Sequence, residues 1–233
     1  CSRCCCCRPS RPWCCCRPCH YRCIWTGVNW NGALPKKRHR RVVAPVLVSL
    51  LEDADRGTIA VHLSNHRRDA FTGDVKWRIT DAAGVILQSG STRADVGSQT
   101  NAELTVLDCT DLLKSHTARD LLIWAEAVDQ GTVVSRNLGH FEKPKHIQLQ
   151  KPNLQTSVEE GPDGSFRIVL SSDKPALWNR LELTGGDARF SDNFICLDQH
   201  EQAVIAVKPH DSLTAEQVRY QLKVTSLFDT YTF

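Results

Sequence analysis

From Val46 onward, apolar residues recur at every second position in short runs closed by turn residues, and this period most constrains the fold. Ile59, Val61 and Leu63 alternate with Ala60, His62 and Ser64, and Val75, Trp77 and Ile79 alternate with Lys76, Arg78 and Thr80. Successive strand side chains point to opposite faces, so such runs bury one face and wet the other. The strand through Trp77 is therefore expected to carry a solvated basic face. Ala102, Leu104 and Val106 continue the pattern, as do Leu122, Trp124, Glu126 and Val128, then Phe166, Ile168 and Leu170. Val218, Tyr220, Leu222 and Val224 predict the last strand. Turn residues punctuate the runs at Ala82-Ala83-Gly84, Asp129-Gln130-Gly131 and Gly161-Pro162-Asp163-Gly164. In the last of these, Pro presets φ at the second turn position and Gly accepts a positive φ, which predicts a hairpin. Thr110 is expected to cap one short helical turn through Leu113, and sustained amphipathic helices are absent. The fold class is all-β, built from antiparallel sandwiches.

Pro144 and Pro152 bracket a short segment that divides this pattern in two. The expected organisation is an irregular Cys/Arg-rich arm over 1–41, a first sandwich over 42–145 and a second over 146–233. Each sandwich is long enough to hold its own core. Charge follows the same division. The arm holds ten Lys/Arg and no Asp or Glu, which leaves 19 of the 29 basic residues against all 26 acidic ones in the rest. A mildly acidic body has no nucleic-acid footprint, and no apolar run approaches the roughly 20 residues that span a bilayer. Neither nucleic acid nor membrane is expected as a partner.

Ten of the twelve cysteines crowd into residues 1–23. Cys16, Cys19 and Cys23, with His20 nearby, have permissible zinc spacings. The same crowding makes such a match cheap, and no apolar residues surround it to build a small core. The preferred reading of 1–41 is a frame or gene-model artefact, because Cys, Arg, Pro and Trp are what a GC-rich gene yields out of frame. The basic run Lys36 to Arg41 reads as an exposed linker or part of that artefact rather than a localisation signal. The chain starts with Cys and has no Met, which predicts a fragment, a processed product or a faulty gene model. No Asn-x-Ser/Thr sequon occurs, and an intracellular location is expected.

Three segments carry a resemblance to a known family. Gly185-Gly186-Asp187-Ala188-Arg189-Phe190-Ser191-Asp192-Asn193-Phe194-Ile195-Cys196-Leu197 resembles the closing domain of β-mannosidases of glycoside hydrolase family 2, where an RFSDNFFDL-like segment precedes the last strands. Ala44-Pro45-Val46-Leu47-Val48-Ser49 is similar to the segment that opens that family's first post-catalytic sandwich, and Val224-Thr225-Ser226-Leu227-Phe228-Asp229-Thr230-Tyr231 to its closing pattern. Trp25 to Gly32 keeps an echo of the stretch that precedes these domains, and Ala33 to Arg41 departs from it. The resemblance implies two consecutive immunoglobulin-like sandwiches from the region after the catalytic barrel. It further implies a parent that removes terminal β-linked mannose from oligosaccharides with net retention. The partners implied are the parent's catalytic barrel and N-terminal domains, and a mannose-containing oligosaccharide for the parent.

No catalytic residue and no cofactor is expected in this chain. A retaining glycosidase holds two carboxyl groups roughly 5 to 5.5 Å apart on a rigid frame, and in the family these come from barrel motifs that the chain lacks. Glu159 and Glu160 are adjacent, but consecutive strand residues face opposite ways. His62 and His66 are four apart on a strand-like stretch, where that spacing makes no ligand pair. Asp192 and Asn193, between Phe190 and Phe194, could present a carboxylate and an amide to a sugar. The favoured reading is an Asx-type turn with both phenylalanines in the core. Trp178 is the candidate stacking platform for a sugar ring, with packing as the favoured alternative. Phe190, Phe194, Trp77 and Trp124 are expected to be structural. A stand-alone binding module and a Cys-rich metal-binding protein are the competing functional classes.

Overall fold

The period-two runs become strands that pair only in the antiparallel sense among the described residues, which in this computed structural model are 44–231. The arm, with Cys16, Cys19, Cys23, His20 and the run Lys36 to Arg41, lies outside the described residues. In the first sandwich β1 (Val46–Asp53), β2 (Thr58–Asn65) and β5 (Thr100–Asp108) form one sheet in the order β1-β2-β5. β3 (Phe71–Thr80), β4 (Ile86–Val96), β6 (Leu122–Asp129) and β7 (Thr132–Gly139) form the other, ordered β4-β3-β6-β7. A six-residue helix, α1 (Thr110–Ser115), links β5 to β6, and Cys109 rather than Thr110 stands at its N-cap.

Val46, Val48, Ile59, Val61, Leu63, Phe71, Val75 and Ile79 fill the space between these sheets. Each such side chain, taken fully out of water, contributes about 1.5–3 kcal/mol. Trp77 is half-buried against this core. Its indole lies over Gly90 on the neighbouring strand, where an added Cβ would sit 2.4 Å from a ring carbon. Asn65 is fully buried, and its amide donates to the carbonyls of Asp69, Val96 and Gly97 while its oxygen accepts from the Arg67 N–H. That satisfaction is what permits a polar side chain inside.

The second sandwich pairs β8 (Leu154–Glu160), β9 (Phe166–Ser172), β13 (Gln202–Pro209) and β11 (Ala188–Phe190) in the order β11-β13-β9-β8. Facing it are β10 (Ala176–Leu183), β12 (Ile195–Leu197) and β14 (Leu222–Thr225), ordered β12-β10-β14. Phe166, Ile168, Leu170, Leu181, Ile205, Val207 and Val218 are buried in its core.

Four local expectations are corrected. Val218 and Tyr220 lie in the helix α2 (Ala215–Gln221), not a strand, and Tyr220 is 91% exposed. The helix forms because Thr214 and Gln217 build a reciprocal capping box, with bonds of 3.2 and 2.8 Å. In β5 the register shifts beside Leu104, so Val106 turns outward at 51% exposure while Leu107 turns in. In the β8–β9 hairpin, Asp163 and Gly164 both take positive φ (56° and 69°), so Pro162 is the first turn residue, not the second. Finally, the outer face of β3 is a solvated basic face only in part: Lys76 is exposed, but Thr80 is fully buried and the Arg78 side chain is only 18% exposed.

Candidate functional site at the junction of the two sandwiches

What covers Arg78 and Thr80 is the second sandwich. β6 runs beside β3 and is buried on both faces: Ile123, Ala125 and Ala127 enter the first core, while Leu122 and Trp124 point the other way. They meet Ile147 and Leu149 from the connecting segment, Leu177 and Trp178 from β10, Cys196 from β12, and Leu227, Phe228 and Tyr231 near the end of the chain. This third core belongs to neither sandwich alone. The Trp124 indole N–H donates to Thr80 Oγ1 at 3.1 Å, and the Tyr231 hydroxyl lies 3.0 and 2.9 Å from the carbonyls of Pro144 and Ile147, to which it donates.

Along one side of this seam runs a band of charge. The Arg78 guanidinium sits 5.9 Å from the centroid of the Trp124 ring and donates through Nε to Asp198 Oδ2 at 2.6 Å. Its Nη2 contacts both Asp198 and Glu201. Asp198 is fully buried, and its other oxygen accepts the His200 N–H at 2.8 Å. Arg136 Nε donates to Glu126 Oε1 at 2.6 Å and lies 3.6 Å from Glu201 Oε2. Gln199 Nε2 donates across the same junction to the Gly84 carbonyl at 2.9 Å.

These carboxylates titrate apart. Burial pushes Glu201 up and, with the neighbouring Glu126 charge, outweighs the lowering by the Arg78 hydrogen bond and the arginine charges. Burial also acts upward on Glu126, but the Arg136 hydrogen bond and charge prevail and hold it below the ordinary value. A raised and a lowered carboxyl side by side is the pattern of an acid–base pair. Here, however, the Arg136 guanidinium bridges the two, and Arg78 also holds Glu201 from β3. The arrangement is a structural ion-pair network, which perturbs carboxyl groups in the same way.

The residues singled out from the sequence are placed as follows. Trp178 adopts a positive φ of 48° at a β-bulge, and its indole packs edge-on to His140 with centroids 5.9 Å apart. Its backbone N–H donates to Cys196 Sγ at 3.4 Å. Asn193 exchanges two 2.8 Å hydrogen bonds with the backbone of Leu181 on β10 and accepts the Phe194 N–H at 2.9 Å. Asp192 accepts the Asn193 N–H at 2.8 Å. Phe190 is buried in the second core, whereas Phe194 is half-buried with φ 56° and stands outside that core. Asn193 is thus tied to β10 through Leu181, and Trp178 packs at the seam beside His140. No group of three or more His, Cys, Asp or Glu with metal-holding geometry occurs among the described residues. Burial pushes the Cys109 thiol up to about 11, which leaves it no nucleophile at neutral pH.

Sequence reasoning missed Arg78, Asp198 and Glu201 as a set. The available signal was the run Leu121-Leu122-Ile123-Trp124-Ala125, too apolar for a strand with one wet face.

Two sandwiches in series, each with its own core and sharing a third, define a paired immunoglobulin-like region. Comparison with known families gives this class its type. Residues 57–146 match the mannosidase Ig/CBM-like domain, and residues 149–230 match the Ig-fold domain of mannosidases. Residues 57–146 and 149–230 are therefore a tandem pair of mannosidase-type Ig-like domains. Among solved structures, a β-D-mannosidase from Dictyoglomus thermophilum is similar with a TM-score of 0.69 at 19% identity, over 80% of this chain and 22% of that one. An exo-chitosanase from Amycolatopsis orientalis is similar with a TM-score of 0.55 at 13% identity, over 81% of this chain and 26% of that one. The chain thus spans about a quarter of the length of these structures. No curated protein matches it by sequence.

Proposed function

We propose that the chain is a non-catalytic, C-terminal Ig-like region of a longer β-mannosidase of glycoside hydrolase family 2, and that its role there is mechanical. The observation that carries this reading is the pair of mannosidase-type domains matched in tandem, 57–146 followed by 149–230. The parent removes terminal β-linked mannose from oligosaccharides, with both catalytic glutamates on a barrel that precedes this region. The two sandwiches pack against that barrel and against the N-terminal domains, and hold them in place. Supporting this, the polar residues with the best claim to a sugar are already committed to backbone: Asn193 to Leu181, and Asp192 to Asn193. The neighbouring carboxyl groups of Glu126 and Glu201 are occupied by arginine.

The test is turnover of a chromogenic β-mannoside by the purified chain. Acceleration by a glycosidase comes from a positioned acid and nucleophile, so hydrolysis at the buffer rate is expected. Turnover above background that is abolished by Glu126→Gln or Glu201→Gln would overturn the reading.

A further inference from the structure

The seam between the sandwiches has two parts with different physics. Its apolar part, around Trp124, Leu177 and Ile147, is non-directional and sets no register by itself. Its charged part is directional. The planar Arg78 fork, projecting from β3, grips Asp198 and Glu201 on either side of His200 in the second sandwich. We propose that Arg78 is an interdomain latch that makes the two sandwiches open and unfold as a single cooperative unit.

The argument turns on which state bears the cost when the latch is removed. Asp198 is fully buried in the docked pair, with the Arg78 guanidinium against one oxygen and the His200 N–H on the other. Without the guanidinium, the docked arrangement holds an uncompensated buried carboxylate, whereas separated sandwiches let that carboxylate reach water. The penalty therefore falls on docking and leaves the two separate cores intact, since Arg78 contributes to neither of them. The guanidinium also keeps its charge throughout: burial acts to lower its pKa, and the hydrogen bonds and charges of Glu201 and Asp198 more than reverse this. The latch does not depend on the proposed parent enzyme, because all of its members lie within this chain.

Native-state hydrogen exchange on the full chain under reducing conditions tests this, comparing the slowest amides of β2, β3 and β6 with those of β9, β10 and β13. In the unsubstituted chain, both sets are expected to exchange through one shared opening, with protection factors that agree and that fall together with added denaturant. In Arg78→Met the two sets separate, by about tenfold or more in protection. Arg78→Lys keeps the charge but loses the fork, folds if Arg78→Met does not, and gives a smaller separation in the same sense. Lys76→Met, an exposed change on the same strand, leaves the sets together. Sets that already differ in the unsubstituted chain, or Arg78 variants in which both sets fall equally or neither falls, would overturn the proposal.

Discussion

Asn193 accepts the Leu181 N–H and donates to the Leu181 carbonyl, so its side chain takes the place of a strand residue opposite β10. Asn193→Ala leaves both backbone groups half-buried and unpaired, at a cost of about 1–3 kcal/mol each before any water enters. A loss of about 2–3 kcal/mol is expected in urea melts of the chain. Asp192→Ala removes a bond to a neighbouring backbone N–H and is expected to cost about 1 kcal/mol. Mannose should shift neither melt. A mannose-dependent stabilisation lost in Asp192→Ala would instead mark a sugar site. The conformational strain at this corner is real in kind: Trp178 on β10 and Phe194 just before β12, both non-glycine, hold positive φ. Such residues persist where surrounding contacts over-determine them, and at Trp178 those contacts are His140 and the seam.

At the scale of elements, the strands with one wet face were the legible ones. β2 and β9 show in the sequence as period two because water lies on their other side. β6 defeated the same rule. Its face was assigned to Leu122, Trp124, Glu126 and Val128, yet the first core takes Ile123, Ala125 and Ala127, because a second layer covers the opposite side. α2 was missed for a different reason: its box, Thr214 with Gln217, is a start signal that the superposed alternation of Val218, Tyr220 and Leu222 outweighed. The site was hidden more deeply, since Arg78 and Glu201 are 123 residues apart and nothing local pairs them.

The network on β3, β6 and β7 also sets a pH dependence. Glu201, raised in the fold, binds its proton more tightly there than in the unfolded chain, so its contribution to stability declines as pH rises above the ordinary value of 4.5. Glu126, lowered in the fold, contributes stability that is present above 4.5 and is lost as pH falls through its lowered value. Glu201→Gln is therefore expected to flatten the decline of melting temperature above pH 4.5 while leaving the acid-side fall in place. A steeper decline in that variant would show the assignment to be inverted.

At the scale of the whole molecule, three cores organise the described residues, and the third is the one that a reading of two separate sandwiches does not anticipate. A seam built from Trp124, Leu177, Leu227 and Tyr231, with five interlocked charges beside it, joins the two sandwiches into one spacer. Such a joined pair suits the proposed role of bracing another domain. That is the central claim, and titration of this chain against a β-mannosidase polypeptide that keeps its barrel but lacks its own Ig-like region tests it most directly. Sedimentation and thermal melts should show a one-to-one complex whose barrel melts at a higher temperature than it does alone, as mass action requires when a partner binds only the folded state. No complex at tens of micromolar, together with a mannose-oligosaccharide shift in the melt of this chain by itself, would contradict it.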